Sequence, residues 1–162
     1  QLMEVREKKI PVIGICNGFQ ILVNTGLLPG YSEIGKPAAI IDKNNSACFE
    51  SRWIDLYVRN SNTVWTNGLK DRTLHMPVAH GEGRIRLPAD FNENQTVFTY
   101  GSGSRHVPYP ANPSGTPKAR AGICDPGGTI LGLMPHPERA IYPWFRSADG
   151  LEIFKSGINT VK

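Results

Sequence analysis

A short apolar segment close to the start of the chain constrains the fold more than any other feature. Val12–Ile15 is a continuous hydrophobic run, which is typical of a strand buried on both faces of a parallel sheet. Residues 2–9 have the spacing of an amphipathic helix that ends at Pro11, and a second helix is predicted from Asn17 to about Asn24. Helix, short buried strand and helix in this order predict an α/β fold.

The middle and the end of the chain predict further strands and a closing helix. Strand-forming residues dominate 53–58 and 96–100, and two apolar runs around the turn at 125–128 predict a hairpin. Residues 101–117 include eleven Gly, Ser, Pro or Asn among seventeen, which predicts a surface loop with a function. A helix is predicted from Ala148 onwards. Its expected buried face consists of Leu151, Phe154, Ile158 and Val161.

Composition excludes several classes of protein. The 162 residues, 40% of them hydrophobic, fit one globular domain spanning 1–162. The net charge of +4 is spread along the chain, which argues against nucleic acid as a partner. No uncharged apolar stretch of about 18 residues is present, so no membrane-spanning helix is expected. Three cysteines without a C-x-x-C pair argue against a disulfide framework or a zinc site and favour a reducing, cytoplasmic location.

The strongest chemical signal is a cysteine between two glycines where the first strand becomes a helix. Gly14 and Gly18 flank Cys16 in a G-x-C-x-G pattern, the spacing of a nucleophile elbow. Such a strained turn requires small residues two positions before and after the nucleophile, and it places the thiol at a helix N-terminus that favours the thiolate. The amide of Asn17 is then placed to donate to an oxyanion. The alternative is that Cys16 is a small buried hydrophobe.

A cysteine nucleophile needs a base and a group that orients the base. Four histidines compete for the role of base: His75, His80, His106 and His136. Two of them stand in an H-x-E arrangement, His80 with Glu82 and His136 with Glu138, and residues two apart in an extended segment point the same way. His136 is favoured because it follows a predicted strand and lies between two prolines. The alternative is an ordinary histidine in a surface loop.

Two other hydrolytic classes share parts of this pattern. In zinc deaminases an H-x-E pair works with a downstream P-C-x-x-C motif, which this chain lacks. In α/β-hydrolases the chain order is nucleophile, acid and then histidine, whereas His136 here precedes Glu138. Both classes are therefore disfavoured.

The motifs, taken together, resemble a known family. Residues 11–22 and 134–140 resemble the nucleophile and His/Glu segments of class I (triad-type) glutamine amidotransferases. The segments 77–83 and 147–151 are similar to those of the glutaminase subunits of phosphoribosylformylglycinamidine synthases. The segment 109–115 is similar to a stretch in the amidotransferase region of the single-chain form of that enzyme. The resemblance implies a flavodoxin-like three-layer sandwich with a mostly parallel central sheet.

The resemblance also implies a reaction and partners. Cys16 would attack the carboxamide of L-glutamine, His136 would transfer the proton, and Glu138 would orient His136. Gln20 would line the glutamine pocket, while His80 and Glu82 are expected at the active-site mouth or at a synthetase interface, or else in a structural turn flanked by glycines. The ammonia would pass to a synthetase subunit that holds ATP and Mg²⁺, with a small accessory subunit in the same complex, and this chain would need no cofactor.

One departure from the family concerns the start of the chain. The family places a glycine-rich oxyanion loop well upstream of the nucleophile, and only fifteen residues precede Cys16 here. The expectation is that the N-terminal strands and this loop are missing. The chain alone should then have little glutaminase activity, since an oxyanion donor contributes about 3–4 kcal/mol. The alternative is a truncated, non-catalytic domain that only binds the synthetase.

Overall fold

The computed structural model describes residues 2–59, 63–103 and 107–160. Within these ranges the helices are α1 (Leu2–Glu7), α2 (Asn17–Asn24) and α3 (Asp149–Asn159). The strands are β1 (Val12–Ile15), β2 (Ile40–Lys43), β3 (Glu50–Val58), β4 (Thr73–His80), β5 (Glu82–Arg86), β6 (Thr96–Tyr100), β7 (Arg120–Cys124) and β8 (Ile130–Leu133). Short 3-10 turns lie at Val64–Thr66, Glu93–Gln95, Pro117–Ala119, Pro137–Arg139 and Pro143–Phe145. No helix in the described ranges is long and apolar enough to cross a bilayer.

The elements at the start of the chain and the later hairpin agree with the sequence pattern. The predicted bounds of β1 and α2 are confirmed, as is the strand Thr96–Tyr100. The predicted hairpin is the antiparallel pair of β7 and β8. Local patterns were sufficient here because each element is short, apolar and bounded by proline, glycine or a tight turn.

The main sheet has six strands in the order β1-β8-β7-β6-β3-β4, and β2 pairs with β5 in a separate two-stranded sheet. The α/β class is confirmed. The expected mostly parallel pairing is wrong for the described strands, because only β1 and β8 are parallel and every other neighbouring pair is antiparallel. A parallel connection needs a long crossover, usually a helix, and no described α-helix lies between α2 and α3.

Two hydrophobic cores cover the two faces of the main sheet. On one face α2 packs Phe19, Leu22 and Val23 against β8 and the small sheet. On the other face Trp65, from the 3-10 turn Val64–Thr66, and Ile153, from α3, join the side chains of the central strands. The result is the three-layer arrangement that the resemblance implied.

Helix α3 presents a different face to the core from the one predicted. Ile153 is fully buried, whereas Ile158 is 65% exposed, and Val161 lies outside the described residues. The reason is close backbone packing: a Cβ on Gly150 would lie 2.1 Å from the carbonyl oxygen of Pro137, and one on Gly157 would lie 2.3 Å from Trp65. The packed face therefore carries glycines, which a hydrophobic pattern does not register.

The long loop before β7 is partly buried, contrary to the prediction of a surface loop. Asn112, Ser114 and Thr116 are all buried. The hydroxyls of Ser114 and Thr116 lie 2.7 Å apart, and the side-chain amide of Asn112 donates to the carbonyl of Thr116 at 3.0 Å. Because these short polar side chains satisfy the loop's own polar groups, the loop packs inwards at little cost.

Candidate active site

Cys16 occupies a strained turn between β1 and α2. Its φ is 51° and its ψ is −106°, a conformation that L-residues rarely adopt. Gly14 makes this turn possible, because a Cβ there would lie 2.5 Å from the Leu22 side chain and 2.7 Å from the carbonyl oxygen of Gly18. The half-buried thiol lies 3.7 Å from the carbonyl oxygen of Ala79. The turn has the geometry of a nucleophile elbow.

The second glycine of the pattern does not contribute in the way predicted. A Cβ on Gly18 would meet nothing within 4 Å. Gly18 lies in the first turn of α2. Gly14 packs against the backbone of Gly18, so a side chain on Gly18 would not block this contact. The sequence argument that both flanking residues must be small is therefore wrong for Gly18.

Parallel pairing of β1 and β8 brings the cysteine and histidine segments together. Ile15 pairs with Leu133, and the backbone N–H of Cys16 donates to the carbonyl of Leu133 at 2.8 Å. The chain that leaves β8 therefore passes beside the elbow. The backbone N–H of His136 then donates to the carbonyl of Pro77 at 2.8 Å, which anchors the histidine to the middle of β4.

His136 and Glu138 form a close pair. Nδ1 of His136 donates to Oε1 of Glu138 at 2.6 Å. Burial lowers the pKa of His136, but the neighbouring Cys16 thiol and the hydrogen bond to Glu138 outweigh it and raise the pKa to about 9. Burial also opposes ionisation of Glu138, yet the hydrogen bond from His136 holds its pKa below the usual value. Nε2 of His136 is buried without a conventional hydrogen-bond partner, and the Cys16 thiol is close enough to influence its titration.

Gln20 and Asn17 lie on the helix that follows the elbow. The side-chain amide of Gln20 donates to the carbonyl of Glu82 at 3.1 Å, which ties α2 to the turn between β4 and β5. Asn17 is the first residue of α2, where backbone amides lack partners within the helix. Their roles as pocket residue and oxyanion donor remain predictions.

His80 lies in the interior of the protein. It is 3% exposed, whereas Glu82 is exposed. A place for the two residues at the active-site mouth or at a synthetase interface remains a prediction. Burial, together with the nearby positive groups His136 and Arg52, lowers the pKa of His80 to about 4. A Cβ on Gly83 would lie 2.5 Å from the His80 ring, which explains the glycine after this motif.

Sequence reasoning missed a buried polar cluster beneath the site. Glu50 is 2% exposed, pairs across strands with His80 and forms an ion pair with Arg52. Asn44 is 3% exposed and hydrogen-bonds to His80. Residues 44–46 are Asn-Asn-Ser, which is typical of an exposed turn, so the local pattern gave no signal of burial.

The other two histidines that the sequence offered as a base lie away from this cluster or are not described. His75 contacts Asp55 at the surface, and His106 lies outside the described residues.

The described residues contain no group of three or more His, Cys, Asp or Glu side chains able to hold a metal ion. The site brings the hydrogen-bonded pair of His136 and Glu138 near the thiol of Cys16. The predicted roles of nucleophile, base and orienting group need these three kinds of side chain, and the roles themselves remain predictions.

Comparison with known families identifies the domain. The CobB/CobQ-like glutamine amidotransferase domain family matches residues 4–159. The chain belongs to this family. The amidotransferase domain is 45% identical to the phosphoribosylformylglycinamidine synthase subunit PurQ of Dehalococcoides mccartyi, over 91% of this chain and 62% of that protein. It is 37% identical to the PurQ subunit of Treponema denticola, over 93% of this chain and 67% of that protein.

Solved structures agree with the sequence relatives. PurLQS from Thermotoga maritima matches the amidotransferase domain with a TM-score of 0.80 and 33% identity, over 99% of this chain and 66% of that one. A glutamine amidotransferase from the same organism is 20% identical with a TM-score of 0.53, which supports the fold alone. The resemblance read from the sequence is thus confirmed at the level of the family, and the chain spans about 62% of the length of its Dehalococcoides relative.

Proposed function

We propose that this chain is the glutaminase part of a phosphoribosylformylglycinamidine synthase and hydrolyses L-glutamine to glutamate and ammonia. The observation that carries the proposal is the thiol of Cys16 in a strained elbow beside the hydrogen-bonded pair of His136 and Glu138. PurQ subunits are the curated relatives at 45% and 37% identity, which supports the choice of substrate.

In the first half of the reaction, the sulfur of Cys16 attacks the side-chain carboxamide carbon of glutamine. The proton of the thiol goes to Nε2 of His136, whose imidazolium is stabilised by Glu138. Collapse of the tetrahedral intermediate breaks the C–N bond, and His136 returns the proton to the departing amine, which leaves as ammonia. A glutamyl thioester on Cys16 remains.

In the second half, water replaces ammonia as the partner of His136. His136 removes a proton from the water as its oxygen attacks the thioester carbon, and the C–S bond then breaks to release glutamate and restore the thiol. The backbone amide of Asn17 would donate to the oxyanion in both halves, and Gln20 would contact the bound glutamine. A donor of this kind lowers the barrier by about 3–4 kcal/mol.

The ammonia is proposed to pass to a synthetase subunit of the same complex. ATP and Mg²⁺ would belong to that subunit, with a small accessory subunit alongside, and the product would be formylglycinamidine ribonucleotide of purine biosynthesis. Support comes from the likeness to PurLQS. The cysteines are free thiols, which fits a reducing cytoplasm.

Covalent labelling tests the proposal directly. A glutamine analogue with an electrophilic carbon in place of the carboxamide should label wild-type protein stoichiometrically at Cys16. The variant Cys16→Ala should lose the label, and Cys48→Ala, which removes an exposed thiol, should keep it. Labelling that is absent from the wild type, while the protein still binds its synthetase, would favour the non-catalytic alternative.

A further inference from the structure

A buried asparagine outside the proposed triad holds the turn that follows β4. The side-chain Nδ2 of Asn44 donates to the carbonyls of Cys48 at 2.9 Å and His80 at 2.7 Å. Its backbone N–H donates to the carbonyl of Gly81 at 2.9 Å. Because carbonyl oxygens can only accept hydrogen bonds, these contacts fix which end of the Asn44 amide is NH₂ and which is oxygen.

The orientation of Asn44 determines the tautomer of His80. Oδ1 of Asn44 lies 2.9 Å from Nδ1 of His80, so Nδ1 must carry the hydrogen that this oxygen accepts. Nε2 of the same ring is buried and has no hydrogen-bond partner among the described residues. The ring is therefore held neutral, in one tautomer and in one orientation, against Gly83.

The turn itself links this pair to the proposed glutamine pocket. Of its three successive carbonyls, those of His80 and Gly81 are held by Asn44, and that of Glu82 accepts from Nε2 of Gln20 at 3.1 Å. Donation by Nε2 leaves Oε1 as the acceptor end of the Gln20 amide. The position of the Glu82 carbonyl thus determines which end of Gln20 is available to a ligand.

We infer that Asn44 is a positioning residue for glutamine, acting through the turn at 80–82 so that Oε1 of Gln20 accepts a hydrogen bond from an N–H group of the substrate. This inference rests on the proposed function and adds a residue to it. Asn44 acts through Gln20 and does not touch the reacting atoms. Its loss should therefore weaken glutamine binding more than it slows the chemistry.

The test is steady-state glutaminase kinetics of Asn44→Asp in the full-length protein with its synthetase. The aspartate keeps the shape and Oδ1 but removes the Nδ2 donor. We expect KM for glutamine to rise roughly tenfold, the size of one lost hydrogen bond, with kcat within about threefold of the wild type. Asn45→Asp is the matched control, since Asn45 is the exposed neighbour and undergoes the same change of charge.

Further measurements separate positioning from a general loss of structure. The rate of Cys16 alkylation by iodoacetamide, which has no glutamine part, should be unchanged in Asn44→Asp. His80→Asn, which keeps a donor near the Nδ1 position, should raise KM less than His80→Gln. Equal KM values for Asn44→Asp and Asn45→Asp, or a fall in kcat alone, would overturn the inference. A wild type that does not hydrolyse glutamine would instead overturn the proposed function.

Discussion

Removing the carboxylate beside His136 is the sharpest perturbation of the proposed triad. Glu138→Gln keeps the shape of the side chain and an oxygen that accepts from Nδ1, but it removes the charge that stabilises imidazolium. The pKa of His136 is raised from 6.5 to about 9 against burial, which corresponds to roughly 3 kcal/mol in favour of the protonated ring. Cys16 supplies part of this stabilisation of the protonated ring. Because Glu138 is 42% exposed, solvent screening reduces its contribution, and we expect Glu138 to account for about 1–2 kcal/mol.

The expected consequences of Glu138→Gln are measurable in two ways. The His136 ring resonance, followed by NMR, should titrate near pH 9 in the wild type and roughly one unit lower in the variant. Glutamine turnover should fall by a factor of about 5 to 30, the kinetic equivalent of the lost 1–2 kcal/mol. Glu152→Gln, which changes a partly exposed glutamate of α3 that pairs with Lys155, is the matched control. An unchanged titration of His136 in Glu138→Gln would refute the assignment of Glu138 as the orienting group.

The same pair predicts a pH dependence of stability. Because folding raises the pKa of His136 above its unfolded value, the associated stability is fully present below pH 6.5 and is lost as the pH rises through about 9. The loss of unfolding free energy should reach roughly 3 kcal/mol in the wild type and be smaller in Glu138→Gln. Denaturant unfolding between pH 6.5 and 10 measures both, and equal slopes for the two proteins would contradict the reasoning.

Three other outcomes are expected. Gly14→Ala should lower the free energy of unfolding by about 1–3 kcal/mol in denaturant unfolding, because a Cβ at Gly14 has no room. Gly18→Ala should be neutral or stabilising by up to about 1 kcal/mol. Equal losses in the two variants would contradict the packing of the elbow. Thiol reagents should modify exposed Cys48 in the native protein and leave Cys124 unreacted, since burial raises the pKa of Cys124 to about 12. Mass spectrometry after brief alkylation shows which of the two cysteines carries the label. Folding lowers the pKa of His80 to about 4, mainly through burial, so unfolding free energy should fall between pH 6.5 and 4, and His80→Asn should lack this slope.

Sequence reasoning succeeded where the determinants are local. The elbow at 14–18 is encoded by residues within a few positions of one another, and proline and glycine mark its borders. The H-x-E spacing likewise places Glu138 beside His136, because residues two apart in an extended segment face the same side. Both features are present in the structure at short range.

Prediction failed where distant segments compete for the same space. The burial of Asn44 and the neutral state of His80 depend on contacts between segments that are far apart in the chain. Asn44, just after β2, meets His80 at the end of β4, and the loop after β6 contacts Gly83 of β5. The buried face of α3 was predicted wrongly because glycines form part of its packing surface. Gly150 and Gly157 let the backbone of Pro137 and the ring of Trp65 approach closely. Hydrophobic periodicity measures apolar side chains, so it carries no information on close backbone contact.

The amino-acid sequence by itself determined the class of fold and the elbow around Cys16, because the chemistry of a strained turn restricts which residues stand near it. It also predicts Cys16 as the nucleophile and His136 as its base. Tertiary structure alone decided that His136 reaches that elbow from 120 positions further along the chain. The reason is the parallel pairing of β1 with β8, in which the Cys16 amide donates to Leu133. Strand order is set by the packing of the whole sheet, and no local pattern records it.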